Sequence, residues 1–167
     1  MDAFIDSLMA RMTLEEKLGQ MNQLSVGDVQ TGTPLRAETS RLIREGKAGA
    51  LLNIKGAEKI LEVQRLAVEE SRLGIPLLVG MDVIHGYETI FPIPLGMAAT
   101  WDLEAIEESA RIAATEASAG GVAWTFSPMV DIALDARWGR QAEGAGEDPY
   151  LGALIARAMV RGYQQGP

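Results

Sequence analysis

Four times along this chain an apolar run of strand length is followed by a stretch with helical period, and this alternation limits the available folds more than any other feature. Gln23 to Val26, Ala48 to Ile54, the run from Ile75 to the acid at Asp82, and Val122 to Phe126 read as strands. Arg36 to Glu45, Ala57 to Arg72, Leu103 to about Ala119 and Tyr150 to Tyr163 read as the helices that follow them. Repeated βα units imply parallel strands with right-handed crossovers, which leaves an open doubly wound sheet or part of a (β/α)8 barrel. No Gly-x-Gly-x-x-Gly follows the first strand, so the main signature of the nucleotide-binding alternative is missing. The expected fold class is α/β, with four βα units forming half of a (β/α)8 TIM-type barrel.

Local signals mark where these elements start and stop. Ala3 to Met12 leads into Thr13-Leu-Glu-Glu16, in which Thr13 can cap a helix while Glu16 reaches back to the cap, and Leu14, Leu18 and Met21 then repeat at helical spacing. Gly27 to Pro34 is a loop rich in Gly, Thr and Asp, and Gly46 closes the next helix. Ile60, Val63 and Ala67 form the apolar stripe of the helix after the second strand. Pro92 and Pro94 punctuate a loop, and Asp102 caps a helix whose stripe of Leu103, Ile106, Ala110, Ala113 and Ala117 is small enough for close packing. Gly120-Gly121 ends it.

Charge and cysteine usage exclude several functions. The net charge of -8, from 15 Lys and Arg against 23 Asp and Glu, opposes extended contact with phosphate backbones or anionic lipid, so no nucleic-acid partner is expected. With no cysteine there can be no disulfide framework, thiolate metal site or thiol catalysis, and neither a metal nor a cofactor is expected. No window approaches eighteen uninterrupted apolar residues, and the start lacks a basic segment followed by a long apolar run. The sequence therefore reads as soluble, without membrane insertion, any export signal being absent or already removed. Periplasm and cytoplasm both remain open.

Two stretches can carry chemistry. The strand from Ile75 delivers Asp82 to its carboxyl end, where site-forming loops of parallel folds lie, and the chain's single histidine, His85, follows three residues later. An Asp after a strand also serves as an ordinary turn or cap residue. The second stretch is a loop of about twenty residues before the last helix, longer than structureless connections usually are unless functional. In it Arg137 and Arg140 flank an aromatic and glycine turn, with Asp131, Asp135, Glu143, Glu147 and Asp148 within reach. Arg-carboxylate pairs there would rigidify the loop, and can also hold one guanidinium toward a ligand. An arginine fork and a carboxylate together suit a polyol, since one donates two directed hydrogen bonds and the other accepts from two neighbouring hydroxyls. Trp101 and Trp138 can stack on a sugar face or bury against the fold.

The succession Met12-Thr-Leu-Glu-Glu-Lys-Leu-Gly-Gln20, Gly80-Met-Asp-Val-Ile-His-Gly86, Phe91-Pro92, Ala136-Arg-Trp-Gly-Arg-Gln-Ala-Glu143 and Gly146-Glu-Asp148 resembles the amino-terminal part of a glycoside hydrolase family 3 enzyme. The bacterial periplasmic β-glucosidase branch is the most similar. The resemblance covers essentially all of residues 1–167 and implies the amino-terminal half of the family's catalytic barrel, in a retaining β-glucosidase that hydrolyses terminal β-linked glucose.

Carried over by motif, Asp82 matches the aspartate that binds glucose hydroxyls on the far side of the ring from the bond being cut. Arg140 matches the arginine sharing that subsite, with Glu143 as its orienting partner and His85 and Arg137 in support. A retaining glycosidase also needs a nucleophilic carboxylate and a second acid about 5 to 5.5 Å from it. The family takes its nucleophile from a Ser-Asp motif and further substrate contacts from a Lys-His motif, and neither dipeptide occurs here. No catalytic residue is thus expected among these 167 residues. Asp131, Asp135 and Glu143, next to two arginines, favour ionised groups over the raised pKa of an acid catalyst.

The resemblance implies β-glucosides or oligosaccharides as ligands, with a β-N-acetylhexosaminidase or β-xylosidase as the enzymatic rival. The alternative of another class is a non-catalytic sugar-binding or self-associating half-barrel. Half a barrel leaves strand edges unpaired, so self-association or pairing with the missing barrel half is expected.

Overall fold

The structure, a computed structural model, describes residues 2–28 and 37–165. The expected loop at Gly27 to Pro34 and the first residue of the expected helix at Arg36 fall largely outside these. The chain divides into two compact units, one running to Met81 and the other starting at Asp82.

The first unit opens with helix α1 (Asp2–Arg11) and helix α2 (Leu14–Gln20). The capping box forms as the sequence requires: the Glu16 amide donates to Thr13 Oγ1 at 3.2 Å and the Thr13 amide to Glu16 Oε2 at 2.9 Å. The apolar stripe behaves differently from its spacing. Leu14, Leu18 and Met21 are 67%, 53% and 78% exposed, whereas Glu16 and Gly19 are buried. The inward side of this helix carries an ion pair: Arg72 donates to Glu16 through Nε at 2.8 Å and a terminal nitrogen at 2.5 Å, and also reaches the Arg11 carbonyl at 2.8 Å. Those Arg72 hydrogen bonds, followed by the Thr13 amide, hold the Glu16 carboxyl down at about 2.

Strands β1 (Gln23–Asp28), β2 (Ala50–Ile54) and β3 (Leu78–Met81) are parallel, with Gln23 opposite Ala50 and Leu51 opposite Val79. Helix α3 (Ala37–Arg44) follows β1, and α4 (Ala57–Glu69) follows β2. Ile43, Leu51, Val63 and Val79 are the most deeply buried side chains of this unit. Helix α4 stops before the expected Arg72, which frees that arginine for Glu16. Strand β3 is shorter than the apolar run from Ile75. Pro76 has no N–H for a ladder, and both backbone groups of Leu77 are taken by the side-chain amide of Gln64, at 2.8 and 2.9 Å.

The second unit contains a short helix, α5 (Pro94–Ala98), where a loop was expected. Pro94 starts it, at a position where the missing N–H would be unpaired anyway. Helix α6 (Leu103–Ala119) is capped by Asp102, whose Oδ1 accepts from the Ala105 amide at 3.0 Å. Strand β4 (Trp124–Thr125) is briefer than Val122 to Phe126, and helix α7 (Pro149–Gln164) is capped by Asp148, which accepts from the Leu151 amide at 2.7 Å.

Ile106 and Ala110 of α6 pack with Ile155, Ala158 and Met159 of α7 and with Met97 and Ala98 of α5. The two long helices approach backbone to backbone at Gly162, where a Cβ would lie 2.2 Å from the Glu107 carbonyl oxygen. Each strand is thus followed by a helix, the α/β order expected.

Candidate functional site

Asp82 is the first residue after β3 and is exposed. The segment that leaves it is anchored from two helices. Val83 is fully buried, and its carbonyl accepts from the Tyr163 hydroxyl of α7 at 2.7 Å, burial raising that phenol's pKa. Beyond it the chain makes a tight turn: the Phe91 amide donates to the His85 carbonyl at 2.8 Å, and His85 Nδ1 lies 3.0 Å from the Phe91 carbonyl. A carbonyl oxygen can only accept, so Nδ1 carries a proton and, in the neutral ring, Nε2 holds the lone pair. Gly86 makes the turn possible, with φ of 124° and no room for a Cβ, which would meet the Thr89 oxygen at 1.9 Å.

The turn's tip is held by Glu116 of α6. Its carboxylate accepts from the amides of Glu88 and Thr89 at 2.9 and 2.8 Å and from the Thr89 hydroxyl at 2.6 Å. Nothing in the sequence separated Glu116 from the other acids of its helix, or Tyr163 from an ordinary core aromatic, because their partners are backbone groups far away in the chain.

The long loop is a set of locally closed pairs. The Ala133 amide donates to the Gly146 carbonyl at 3.0 Å, joining the loop's two arms. Arg137 pairs with Asp135 through Nε at 2.9 Å and a terminal nitrogen at 2.6 Å, and its side chain is otherwise 90% exposed. This pairing fixes the turn, and it lowers the Asp135 pKa through the same hydrogen bonds. Arg140 makes the equivalent fork to Glu143, at 2.9 and 2.6 Å, across a 3-10 turn at Gln141–Glu143.

Two further carboxylates, Asp131 and then Asp82, act on Arg140 by charge alone and more weakly than Glu143 does. Glu143 first, then these carboxylates, hold the guanidinium's pKa above its ordinary value, while Arg140 lowers that of Glu143. The acids of this loop that shift do so downward, which suits binding and opposes proton donation.

His85 lies on the Asp82 segment, and Arg137 stands on the same turn as Arg140 but pairs away from it. Glu147 makes no recorded pair with either arginine, and Asp148 is a helix cap. Trp138 is half-buried beside Ile132 and Leu134, and Trp101, with a φ of 59°, is exposed.

A cavity of about 240 Å³ in this unit is walled mainly by Pro94, Met97, Pro128, Met129, Ile155 and Met159, with Asp131, Glu143 and Asp148 as charged members. Its apolar walls do not suit a polyol, so the candidate site is defined by the Asp82 and Arg140 charges. Among the described residues no cluster of three or more His, Asp or Glu is placed to hold a metal ion, and no helix is long and apolar enough to cross a membrane.

Residues 13–167 match the family described as Glycosyl hydrolase family 3 N terminal domain. The chain is 40% identical over 163 residues to the periplasmic β-glucosidase of Salmonella typhimurium, covering 98% of this chain and 21% of that protein. It is 31% identical to the lysosomal β-glucosidase of Dictyostelium discoideum, covering 99% of this chain and 23% of the relative. A crystal structure of the Listeria innocua β-glucosidase in complex with glucose superimposes with a TM-score of 0.86 at 40% identity, over 99% of this chain and 24% of that one. The chain therefore spans less than a quarter of the length of these relatives. Its fold is that of the amino-terminal βα units of a (β/α)8-type barrel.

Proposed function

The chain belongs to glycosyl hydrolase family 3, and from that membership we propose that residues 1–167 supply one wall of the glucose subsite of a retaining β-glucosidase. Asp82 accepts hydrogen bonds from two adjacent hydroxyls on the side of the ring away from the scissile bond, and Arg140 donates to the next oxygen. Glu143 holds the guanidinium in place, and His85 and Arg137 stiffen the two segments. The observation that carries this reading is the two-point fork by which Glu143 locks Arg140, within reach of the Asp82 charge. A carboxylate and a fixed fork acting on one ligand match a polyol edge better than any single ion of either sign.

The ligands are β-glucosides or the oligosaccharides that carry them, in keeping with the glucose held by the Listeria innocua relative. The nucleophile and the acid that protonates the leaving oxygen come from residues other than these, the segment acting as part of a larger catalytic domain. The Salmonella relative's periplasmic location supports the same compartment here.

The test is release of a chromophore from an aryl β-glucoside by the purified chain at high concentration, with calorimetric glucose titration of the chain and of Asp82→Ala and Arg140→Ala. We expect no turnover, weak glucose binding by the native chain, and its loss in both variants. Glucose binding that survives both substitutions would overturn the subsite. Turnover abolished in Asp82→Ala would place a catalytic pair among these residues and overturn the assignment of the nucleophile elsewhere.

A further inference from the structure

We infer that Glu116 is a positioning residue of the sugar subsite, acting through the His85 turn; this rests on the glucose-subsite reading above. The turn from Gly86 to Phe91 is closed at its base by the paired groups of His85 and Phe91, but its tip presents two successive backbone N–H groups, at Glu88 and Thr89. Adjacent amides pointing to one spot form an anion-binding concavity, and an intramolecular carboxylate fills it here. Oε2 takes both amides and Oε1 takes the Thr89 hydroxyl, so both oxygens of the carboxylate are engaged by the loop. Glutamine at this position keeps one carbonyl oxygen on both amides and turns its NH2 to the Thr89 hydroxyl, which then accepts, so it loses the charge and not the contacts. Alanine removes the clamp altogether.

Its consequence reaches the site through a short path. Glu116 stands on a seventeen-residue helix whose partner face is buried core, which makes it a rigid anchor. With the tip fixed, the Thr89 oxygen stays against Gly86, and the base pairing holds the His85 ring with Nδ1–H on the Phe91 carbonyl. Asp82 leaves β3 three residues before that ring, with Val83, whose carbonyl Tyr163 holds, and Ile84 between the two. Releasing the tip lets the turn re-register, which frees the imidazole to change tautomer and loosens the segment that aims the Asp82 carboxylate. Such a residue touches no sugar yet sets the geometry of one that does.

His85 is the chain's only histidine, so its imidazole signals need no assignment. Nitrogen-15 imidazole spectra of the 167-residue chain, recorded where the ring is neutral, are compared with those of Glu116→Ala and Thr89→Val, alongside calorimetric glucose titration. The native ring is expected as a single Nδ1–H tautomer. Glu116→Ala should give a mixture of tautomers and weaken glucose binding by about tenfold, the scale of losing charge-assisted hydrogen bonds. Thr89→Val removes one donor, leaves α6 untouched, and should move both signals the same way by a smaller amount. Because that variant does not alter the helix, it decides the matter if Glu116→Ala fails to fold.

A native tautomer with native glucose affinity in either folded variant overturns the inference. So does a mixed tautomer with unchanged affinity, which would leave Glu116 a purely local clamp. Asp82→Ala should lose glucose while keeping the single tautomer. If the native chain binds no glucose, the subsite reading falls and takes the positioning role with it, whatever the imidazole shows.

Discussion

Arg140 has five N–H donors in a planar fork, and Glu143 engages two of them, so the rest stay available to a ligand at a fixed angle. Lysine at this position would keep the charge and lose the fork. Arg140→Lys is therefore expected to weaken glucose binding more than Glu143→Gln does, and Glu143→Gln by about tenfold, because it releases the fork without removing it. The pH dependence follows from the direction of the Glu143 shift. Its carboxyl sits below the ordinary 4.5 in the folded chain, first through the Arg140 hydrogen bonds. The clasp is thus fully formed at and above that value and is lost only as pH falls through the lower, folded-state pKa. Glucose titrations over a pH series should show affinity flat from neutrality down to the ordinary carboxylate range and falling below it. A fall that begins near neutrality would mean another group controls binding.

At the scale of elements, the close packing of α6 on α7 sets opposite fates for two glycines of one helix. Gly152 has open space where a Cβ would go, so Gly152→Ala should stabilise the chain by about 1 kcal/mol through the lower backbone entropy of the unfolded state. Gly162 lies against the Glu107 carbonyl and the Ala110 Cβ, so Gly162→Ala must push the helices apart and lower the melting temperature. Urea denaturation of the pair measures both; equal shifts would contradict the packing.

The α6 start was legible because Asp102 caps it and the Ala-rich stripe has one period, whereas Asp148, which the sequence groups with the loop carboxylates, serves as the cap of α7. The α2 face was not, since Gly19 lies flush against Gly46 and Lys47 and Glu16 pairs with Arg72, and separations of that length leave no periodic trace. The same blindness hid Glu116. The Arg-carboxylate forks of the long loop were readable from spacing, because their partners lie two and three residues away.

At the scale of the molecule, much of the apolar surface is uncovered in ways a small chain rarely tolerates. Phe4, Leu14 and Met21 are exposed in the first unit, and Val130, Leu134 and Tyr150 in the second, Leu134 to 82%. In the first unit β1 is an edge of its sheet, pairing with β2 on one side. Exposed apolar side chains and an unpaired edge are relieved by burial against another protein surface. We therefore predict self-association of the 167-residue chain when no other partner is present.

The charge of -8 opposes that association at low salt, while added salt screens the repulsion and leaves apolar contacts intact. Light scattering coupled to gel filtration should give a mass above the 18.0 kDa of one chain, rising with concentration and with salt. Leu134→Glu should reduce it if the loop of the second unit takes part, and Phe4→Glu if the first unit does. A sharp monomeric peak at every concentration, with a single cooperative melt, would show that the chain satisfies its own edges and would remove the physical reason for a partner.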